Sequence, residues 1–357
     1  MSLPKTTDAW VIQGTDGSKG WDNLKLEKNR PIPELGPHDC LVQIQAVSLN
    51  YRDLTIPQGT YPLPLGLPAV ACSDGAGRVL AKGSKVTEFE EGDKVVTQFT
   101  QAHQAGPITA DMFATTLGGG CDGTLRQYAV FPESGLVRAP SNLTPTEAGT
   151  LTCAPTTAWN ALYGIESKGL QPGQVVLTQG TGGVSLAAIQ FAKAAGATVI
   201  ATTSSAEKAK ILEKIGADIV LNYKEDPNWG ETAKRLSPGK AGVDFILEVG
   251  GPGTMAQSLK AIKLEGIIAV IGFLGGAKSE DEPSTLAALS AGCIIRGILI
   301  GSKAQLKAMS RAIEANNIHP VVDEKRFDFE NAIEAYKYQW EQKNFGKVVI
   351  QLPGAGA

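Results

Sequence analysis

Residues 175–205 read VVLTQGTGGVSLAAIQFAKAAGATVIATTSS. A short apolar run, Val175–Gln179, follows the turn QPGQ and leads into Gly180, Gly182 and Gly183. Residues 184–195 have helix-forming composition, and Gly196 is placed to end that helix. Residues 198–202 are a second β-branched run. Strand, glycine turn, helix and strand in this order make a βαβ unit. A diphosphate needs close backbone approach, free N–H groups and the positive end of a helix, and such a turn supplies all three. The match to GxGxxG is incomplete, because Ser185 stands where the third glycine would. Serine is small enough to keep the helix against the strand, and its hydroxyl is a candidate phosphate donor. The stretch is read as a dinucleotide site built from Gly180, Thr181, Gly182, Gly183, Val184 and Ser185.

The pattern continues outward. A helix is expected over 207–215, stopped by Gly216, and a third strand over 217–221. Apolar runs at 244–249, 267–271 and 294–300 bring the number to six, with helical segments between most of them. That is the signature of an α/β, doubly wound parallel sheet. Residues 1–150 have another texture, of short strands broken by Gly and Pro: CLVQIQAVSL from Cys40, GAGRVLAKG from Gly75, GDKVVTQF from Gly92. They predict an antiparallel, barrel-like β domain. The tail from about 310 ends in FGKVVIQL from Phe345, a strand expected to rejoin that first domain. The expected organisation is one domain of 1–150 completed by 310–357, and a nucleotide-binding domain of 151–309. Residues 98–123, Gly- and Ala-rich with little charge, read as a long loop with a short helix at about 109–117.

The end of the second strand bears on cofactor choice. A ribose with free hydroxyls is usually met there by Asp or Glu. Here the run is Thr202, Thr203, Ser204, Ser205, with Lys208 one turn later. Small hydroxyl residues and a lysine suit a 2′-phosphate, which a carboxylate would repel, so NADPH is expected ahead of NADH. Glu207 comes after the usual acidic position and is read as facing solvent.

Composition sets the outer bounds. The chain has 357 residues, 43% apolar and 19% charged, with net charge −3. Its length favours two domains, and the charge balance lacks the basic footprint of a nucleic-acid binder. No apolar run has membrane-span length, and the N-terminus MSLPKTTDAWVIQG reads as neither export nor transit signal. Five widely spaced cysteines without a CxxC point to reduced thiols in the cytoplasm. His38, His103 and His319 each lack a second ligand at metal-site spacing and read as surface or loop residues.

These residues also carry a resemblance. SLNYRDL from Ser48, ACSDGAGRV from Ala71, GTLRQYAVFPE from Gly123, TAWNAL from Thr157, GADIVLNYKEDPNWG from Gly216 and NFGKVVI from Asn344 resemble the medium-chain dehydrogenase/reductase superfamily. Within it the chain is most similar to the zinc-independent quinone oxidoreductase-like and zinc-type alcohol dehydrogenase-like branch. The resemblance implies a GroES-like N-terminal domain, a Rossmann domain, an active-site cleft between them and a homodimer. It implies that Tyr223 lies near the adenosine 2′-phosphate beside Ser204 and Lys208, and that Thr157 approaches the nicotinamide. Gly272 and Phe273, together with Gly301 and Ser302 at the later strand ends, would flank the nicotinamide, and residues 344–347, Lys347 among them, would come close from the C-terminal strand.

Relatives that bind catalytic zinc use Cys, His and Cys. In this chain those positions read Asn50, Ser73 and Cys153, so one ligand of three remains. The four clustered cysteines of the structural zinc lobe are also missing, since Cys121 stands alone there. No metal is expected.

Without a Lewis acid, hydrogen-bond donors must take the negative charge that hydride delivery creates on oxygen. The candidates are Asn50, Tyr51, Tyr61 and Thr157. Asn50 leads because it holds the vacated ligand position. Tyr61 reads equally as a proton source and as a loop aromatic packed on the barrel, and Asp53 reads first as a cap or a partner of Arg52. Tyr61, Trp159, Phe273 and the 98–123 segment are the expected pocket lining, although Trp159 reads as core too. The resulting function is an NADPH-dependent, zinc-free oxidoreductase acting on a quinone or an α,β-unsaturated carbonyl. The alternatives are a zinc-free alcohol dehydrogenase or ketone reductase, and a cofactor-binding protein without turnover.

Overall fold

Thirty-one residues, 175–205, do fold as strand, turn, helix and strand. The computed structural model describes residues 3–272, 283–284 and 286–354. These fall into two units, 1–156 with 301–357, and 157–300.

The first unit is mostly antiparallel. Strands β1 (Thr6–Ile12), β2 (Leu24–Pro31) and β4 (Ala69–Val70) form a small sheet in the order β2-β1-β4. The second sheet begins with β3 (Asp39–Ser48), followed after the short helix α1 (Tyr51–Thr55) by β5 (Asp74–Lys82), β6 (Lys94–Thr97), β7 (Tyr128–Pro132) and β8 (Leu136–Arg138). Its order is β15-β16-β3-β5-β6-β8, with β7 also on β3. The late strands β15 (Val322–Asp328) and β16 (Lys347–Gln351) are thus built into it, β16 lying antiparallel to β3 and parallel to β15. The expected return of the tail is observed. One apolar core gathers Trp10, Leu54, Phe89, Phe131, Phe329 and Tyr336, and the Trp10 indole N–H donates to Phe329 O at 2.8 Å, closing a 319-residue loop. Helices α2 (Pro145–Ala148), α9 (Lys303–Ala315) and α10 (Ala332–Trp340) also belong to this unit, and helix α3 (Ala154–Tyr163) straddles the division at 156/157. The carbonyls of His103 and Gln104 accept from the Lys303 and Ala304 amides at 2.9 Å each, so the 98–123 segment holds the start of α9. That segment carries a short 3-10 helix at Ala110–Thr115.

The second unit is a six-stranded, wholly parallel sheet. Its strands are β9 (Val175–Gln179), β10 (Thr198–Thr203), β11 (Ile219–Asn222), β12 (Val243–Glu248), β13 (Ile262–Val270) and β14 (Ile294–Gly297), in the order β11-β10-β9-β12-β13-β14. Helices α4 (Gly183–Ala194), α5 (Ala206–Ile215), α6 (Trp229–Leu236), α7 (Pro252–Ala261) and α8 (Leu286–Ala291) connect them. β9 is buried along its whole length, as a central strand covered on both faces should be. The order reverses between β9 and β12, the switch point where ligands of such sheets bind.

Several element boundaries move from those expected, β13 most of all, which begins at Ile262 and not at 267; two shifts have a visible cause. The third strand starts at Ile219 and not at 217, because Gly216 (φ 123°) and Ala217 turn their amides back to Leu212 O and finish α5. The sixth ends at Gly297 and not at 300: Ile300 has φ 55°, and its carbonyl accepts from Asn160 Nδ2 at 2.7 Å.

Candidate active site

In the second unit, Gly180 follows β9 with φ 73°, and its amide donates to Thr202 O at 2.8 Å. A Cβ on Gly180 or Gly182 would meet nothing within 4 Å, so the turn presents bare backbone to open space. Gly182 is the N-cap of α4 and brings no side chain to cap it. The first helical bond runs from Leu186 N to Gly182 O at 3.1 Å. The amides of Gly183, Val184 and Ser185 precede it and are the orphan donors of the helix start. Thr181 lies between the glycines, half-buried. Bare backbone with uncommitted amides at a helix start is what a diphosphate needs, and the residues present fit a dinucleotide.

Ser185 needs a correction. Its hydroxyl, 1% exposed, donates to Gln179 O at 2.6 Å. The side chain therefore pins the helix to the strand and is not a free phosphate donor.

The next strand end is built as its sequence suggests. Thr203 is buried, Ser204 half-buried, and Ser205 caps α5 by accepting from Lys208 N at 3.5 Å. Tyr223, 42% exposed, donates its amide to Thr203 O at 3.0 Å and so stands beside Ser204. Glu207 is exposed, and residues 202–205 present no carboxylate. Gly272 lies close to β12, since a Cβ there would sit 3.0 Å from Val249 O. Phe273 lies outside the described residues. Thr157 is buried on α3. Trp159, half-buried, packs in a tilted stack on Tyr163 (4.3 Å) and edge-on to Phe191 (5.5 Å), in keeping with the core reading.

One residue of the second unit escaped the sequence reading. Glu248, fully buried at the end of β12, accepts from the Gly250 and Gly251 amides (3.0 Å each), from Gln179 Nε2 (2.8 Å), and from the Thr254 and Ser258 hydroxyls. Gln179 in turn accepts from the Val249 and Gly250 amides at 3.1 and 3.2 Å. The ends of β9 and β12 are thus tied together beneath the glycine turn. A lone Glu within the apolar run FILEVG was the available signal.

In the first unit a compact charged cluster surrounds Asn50. The Lys347 ammonium donates to Leu49 O (2.7 Å) and Asn50 Oδ1 (2.5 Å) and lies 3.1 Å from Asp74 Oδ2. Lys347 is 5% exposed and Asp74 fully buried. Asp74 also accepts from the Ser48 hydroxyl at 2.7 Å. Two hydrogen bonds and one ion pair thus hold the Lys347 ammonium within the first unit. Asn50 is 7% exposed, and its Nδ2 has no acceptor among the described residues. Asp53 takes both roles foreseen for it: it accepts from Asn50 N at 2.8 Å at the start of α1, and it lies 3.3 Å from Arg52 Nη1. Burial pushes its carboxyl up to about 6, against the opposing pull of Arg52. Tyr61 is half-buried against the core with the Arg52 guanidinium 5.3 Å from its ring centroid, which favours the packed reading while leaving it beside a cation.

Gly301 and Ser302 fall in the first unit, not at a strand end. Gly301 O accepts from Gln98 Nε2 at 3.0 Å, and Ser302 and Gln305 cap α9 reciprocally. The Ser302 side chain is thereby committed to its own helix.

Among the described residues no three His, Cys, Asp or Glu side chains gather as a metal site. The residues at the ligand positions do not suit a dication. Asn50 already has its only carbonyl oxygen on an ammonium, Ser73 brings a neutral hydroxyl directed at Asp74 Oδ1 (3.5 Å), and Cys153 is left as one suitable ligand of three.

Comparison with known proteins agrees with both units. Residues 36–141 match the model of the alcohol dehydrogenase GroES-like domain, and residues 183–315 that of the zinc-binding dehydrogenases. The chain is 44% identical to a zinc-type alcohol dehydrogenase-like protein of Schizosaccharomyces pombe, over 94% of this chain and 97% of that one. It is 30% identical to the NADPH-dependent alkenal/one oxidoreductase, chloroplastic, of Arabidopsis thaliana, over 98% of this chain and 80% of that one. The crystal structure of a putative alcohol dehydrogenase from Sinorhizobium meliloti superposes with a TM-score of 0.86 at 39% identity, covering 98% of this chain and all of the other. A GroES-like unit, a parallel sheet with a bare glycine turn at its switch point, and near full-length likeness to these proteins place the chain in the medium-chain dehydrogenase/reductase family, and it is an oxidoreductase.

Proposed function

We propose that the protein is an NADPH-dependent reductase of quinones or α,β-unsaturated carbonyl compounds that works without zinc. The observation that carries this reading is the buried Asn50 amide, which has an N–H to give and no acceptor among the described residues. A buried unpaired donor is costly unless something arrives to accept from it. The oxygen of a carbonyl substrate is such an acceptor, and it accepts more strongly as negative charge gathers on it.

The nucleotide fits the second unit: diphosphate on the amides of Gly183 to Ser185, 2′-phosphate by Ser204, Lys208 and Tyr223. When bound, its reduced nicotinamide supplies a hydride. The acceptor's electron pair then moves onto its oxygen, and water provides the proton that completes the reduction. The chain's own part is to orient the acceptor through Asn50 and to hold the charge that develops. The Arabidopsis relative's name, with its alkenal/one substrate and NADPH, supports this choice.

The test is a screen of NADPH and NADH against enones, quinones, aldehydes and ketones on chelator-treated protein. A saturated ketone from an enone supports the reading; an allylic alcohol supports the carbonyl-reducing alternative that the alcohol dehydrogenase relatives favour. No turnover with any acceptor, or activity that returns only with added zinc, overturns both. Lys208→Ala is expected to weaken discrimination for NADPH roughly tenfold. Asn50→Asp keeps an acceptor toward Lys347 and loses the donor, so kcat should drop about 10²- to 10³-fold.

For the assembly we infer a homodimer. β14 is the outer strand of its sheet, and Leu286 and Leu289 on the neighbouring helix are 67% and 79% exposed. A two-fold pairing of that edge would cover both. Light scattering that reports a monomer at working concentration would refute it. The five free thiols accord with placement in a reducing compartment, which we take to be the cytoplasm.

A further inference from the structure

Resting on the reading of Asn50 as the oxygen-holding donor, we propose that Lys347 is a positioning residue for that donor, doing through the amide what a metal would do directly.

A carboxamide has two faces, one accepting and one donating, and can turn over unless something fixes it. Lys347 fixes it. An ammonium has no lone pair, so only Oδ1 can face it, and the observed 2.5 Å contact leaves a single assignment for the amide. Nδ2 must then point away from Lys347 on the other branch of the side chain, where no protein acceptor meets it. The ammonium is itself held by Asp74 and Leu49 O, and Asp74 by Ser48, so the chain of contacts is Ser48, Asp74, Lys347, Asn50. Each member is buried. The main chain of Asn50 is held separately by the Asp53 carboxylate. Backbone and side chain of the donor are thus locked by different partners.

The lock also changes chemistry. A cation bonded to the amide oxygen draws electron density from the nitrogen and makes its N–H a stronger donor, since hydrogen bonds in sequence polarise one another. A positive charge near the developing oxyanion adds to this. Asp74 keeps the cluster close to neutral before substrate arrives, so the amide can be strongly polarised without a bare buried charge.

The test is a mutant cycle on the full-length protein with NADPH and whichever acceptor it reduces fastest. Lys347→Met alone strands Asp74, so the working variant is Lys347→Met with Asp74→Asn, which removes both charges together. Thermal melting first confirms that this pair variant folds. Its kcat is expected to fall about 10- to 100-fold, as for removal of a supporting shell, with KM for NADPH within about twofold of wild type. Added to Asn50→Ala, the pair should cost less than about threefold more, because there is no amide left to position. If Asn50→Ala slows turnover but the pair variant matches wild type, or if the two losses multiply, Lys347 does not position the donor while the reading of Asn50 stands. If Asn50→Ala itself keeps wild-type kcat, the reading of Asn50 fails and this proposal with it.

Discussion

Each unit buries a carboxylate completely, and the two are held in opposite ways. Asp74 in the first unit is met by a cation, Lys347, and by the Ser48 and Ser73 hydroxyls. Glu248 in the second is met by no cation at all; amides, hydroxyls and a carboxamide surround it. Neutral donors can satisfy a carboxylate only by converging on it in number, which welds the segments that carry them. A cation does most of the work alone and leaves neighbouring polar groups free to be aimed elsewhere. So the ion-paired arrangement leaves a directed N–H over, on Asn50, while the neutral one leaves none over and braces the base of the glycine turn. The first arrangement suits a site of chemistry and the second suits a support.

That contrast can be broken by substitution. The largest effect is expected from Lys347→Met, which leaves Asp74 buried without its cation; urea unfolding should show a loss of about 3–5 kcal/mol, most of it recovered when Asp74→Asn is added. Glu248→Gln should cost roughly 2–3 kcal/mol, because one end of the new amide donates toward groups that themselves donate. If Glu248→Gln proved the costlier of the two, the ranking of charged over neutral support would be wrong. Asp53 sharpens the comparison by pH. Its folded value of about 6 lies above the ordinary carboxyl value near 3.9, so the folded state holds its proton more tightly. The stability it contributes is present below about pH 4 and is lost as pH rises through 6. The stability of wild type relative to Asp53→Asn should therefore fall by roughly 2 kcal/mol between pH 4 and pH 7, and a rise would contradict the direction. The smallest effect is expected at Ser185→Ala: about 1 kcal/mol of stability from the lost bond to Gln179, with NADPH affinity changed less than about threefold. A tenfold loss of affinity would restore the hydroxyl to the phosphate site.

What could be read in advance follows chain distance. The βαβ unit was legible because its strand, turn and helix lie within thirty-odd residues and each leaves a local mark, Gly180 for the turn and Gly196 for the stop. The Thr203-Ser204-Ser205 end of β10 was legible for the same reason. Ser185 was half-read: its small size is a local requirement, but the orientation of its hydroxyl depends on the return of the chain to Gln179 O. Gly301 and Ser302 were misplaced because a capping box and a strand end can share the same small residues. The Lys347–Asn50 bond spans 297 positions, and no periodicity marks such a pairing. Glu248 was passed over since a single acid in an apolar run looks like a strand end until its donors are seen.

The insertion of β16 between β15 and β3 has a consequence for biogenesis. On the ribosome, residues 157–300 emerge as a continuous stretch and can form their parallel sheet while translation continues. The sheet of the other unit must wait with a gap at β3 until residues 347–351 have been made. Lys347 heads that strand, so the step that closes the sheet is also the step that first sets the Asn50 amide, and an incompletely translated chain would carry a finished parallel sheet and an Asn50 side chain that still lacks its ammonium.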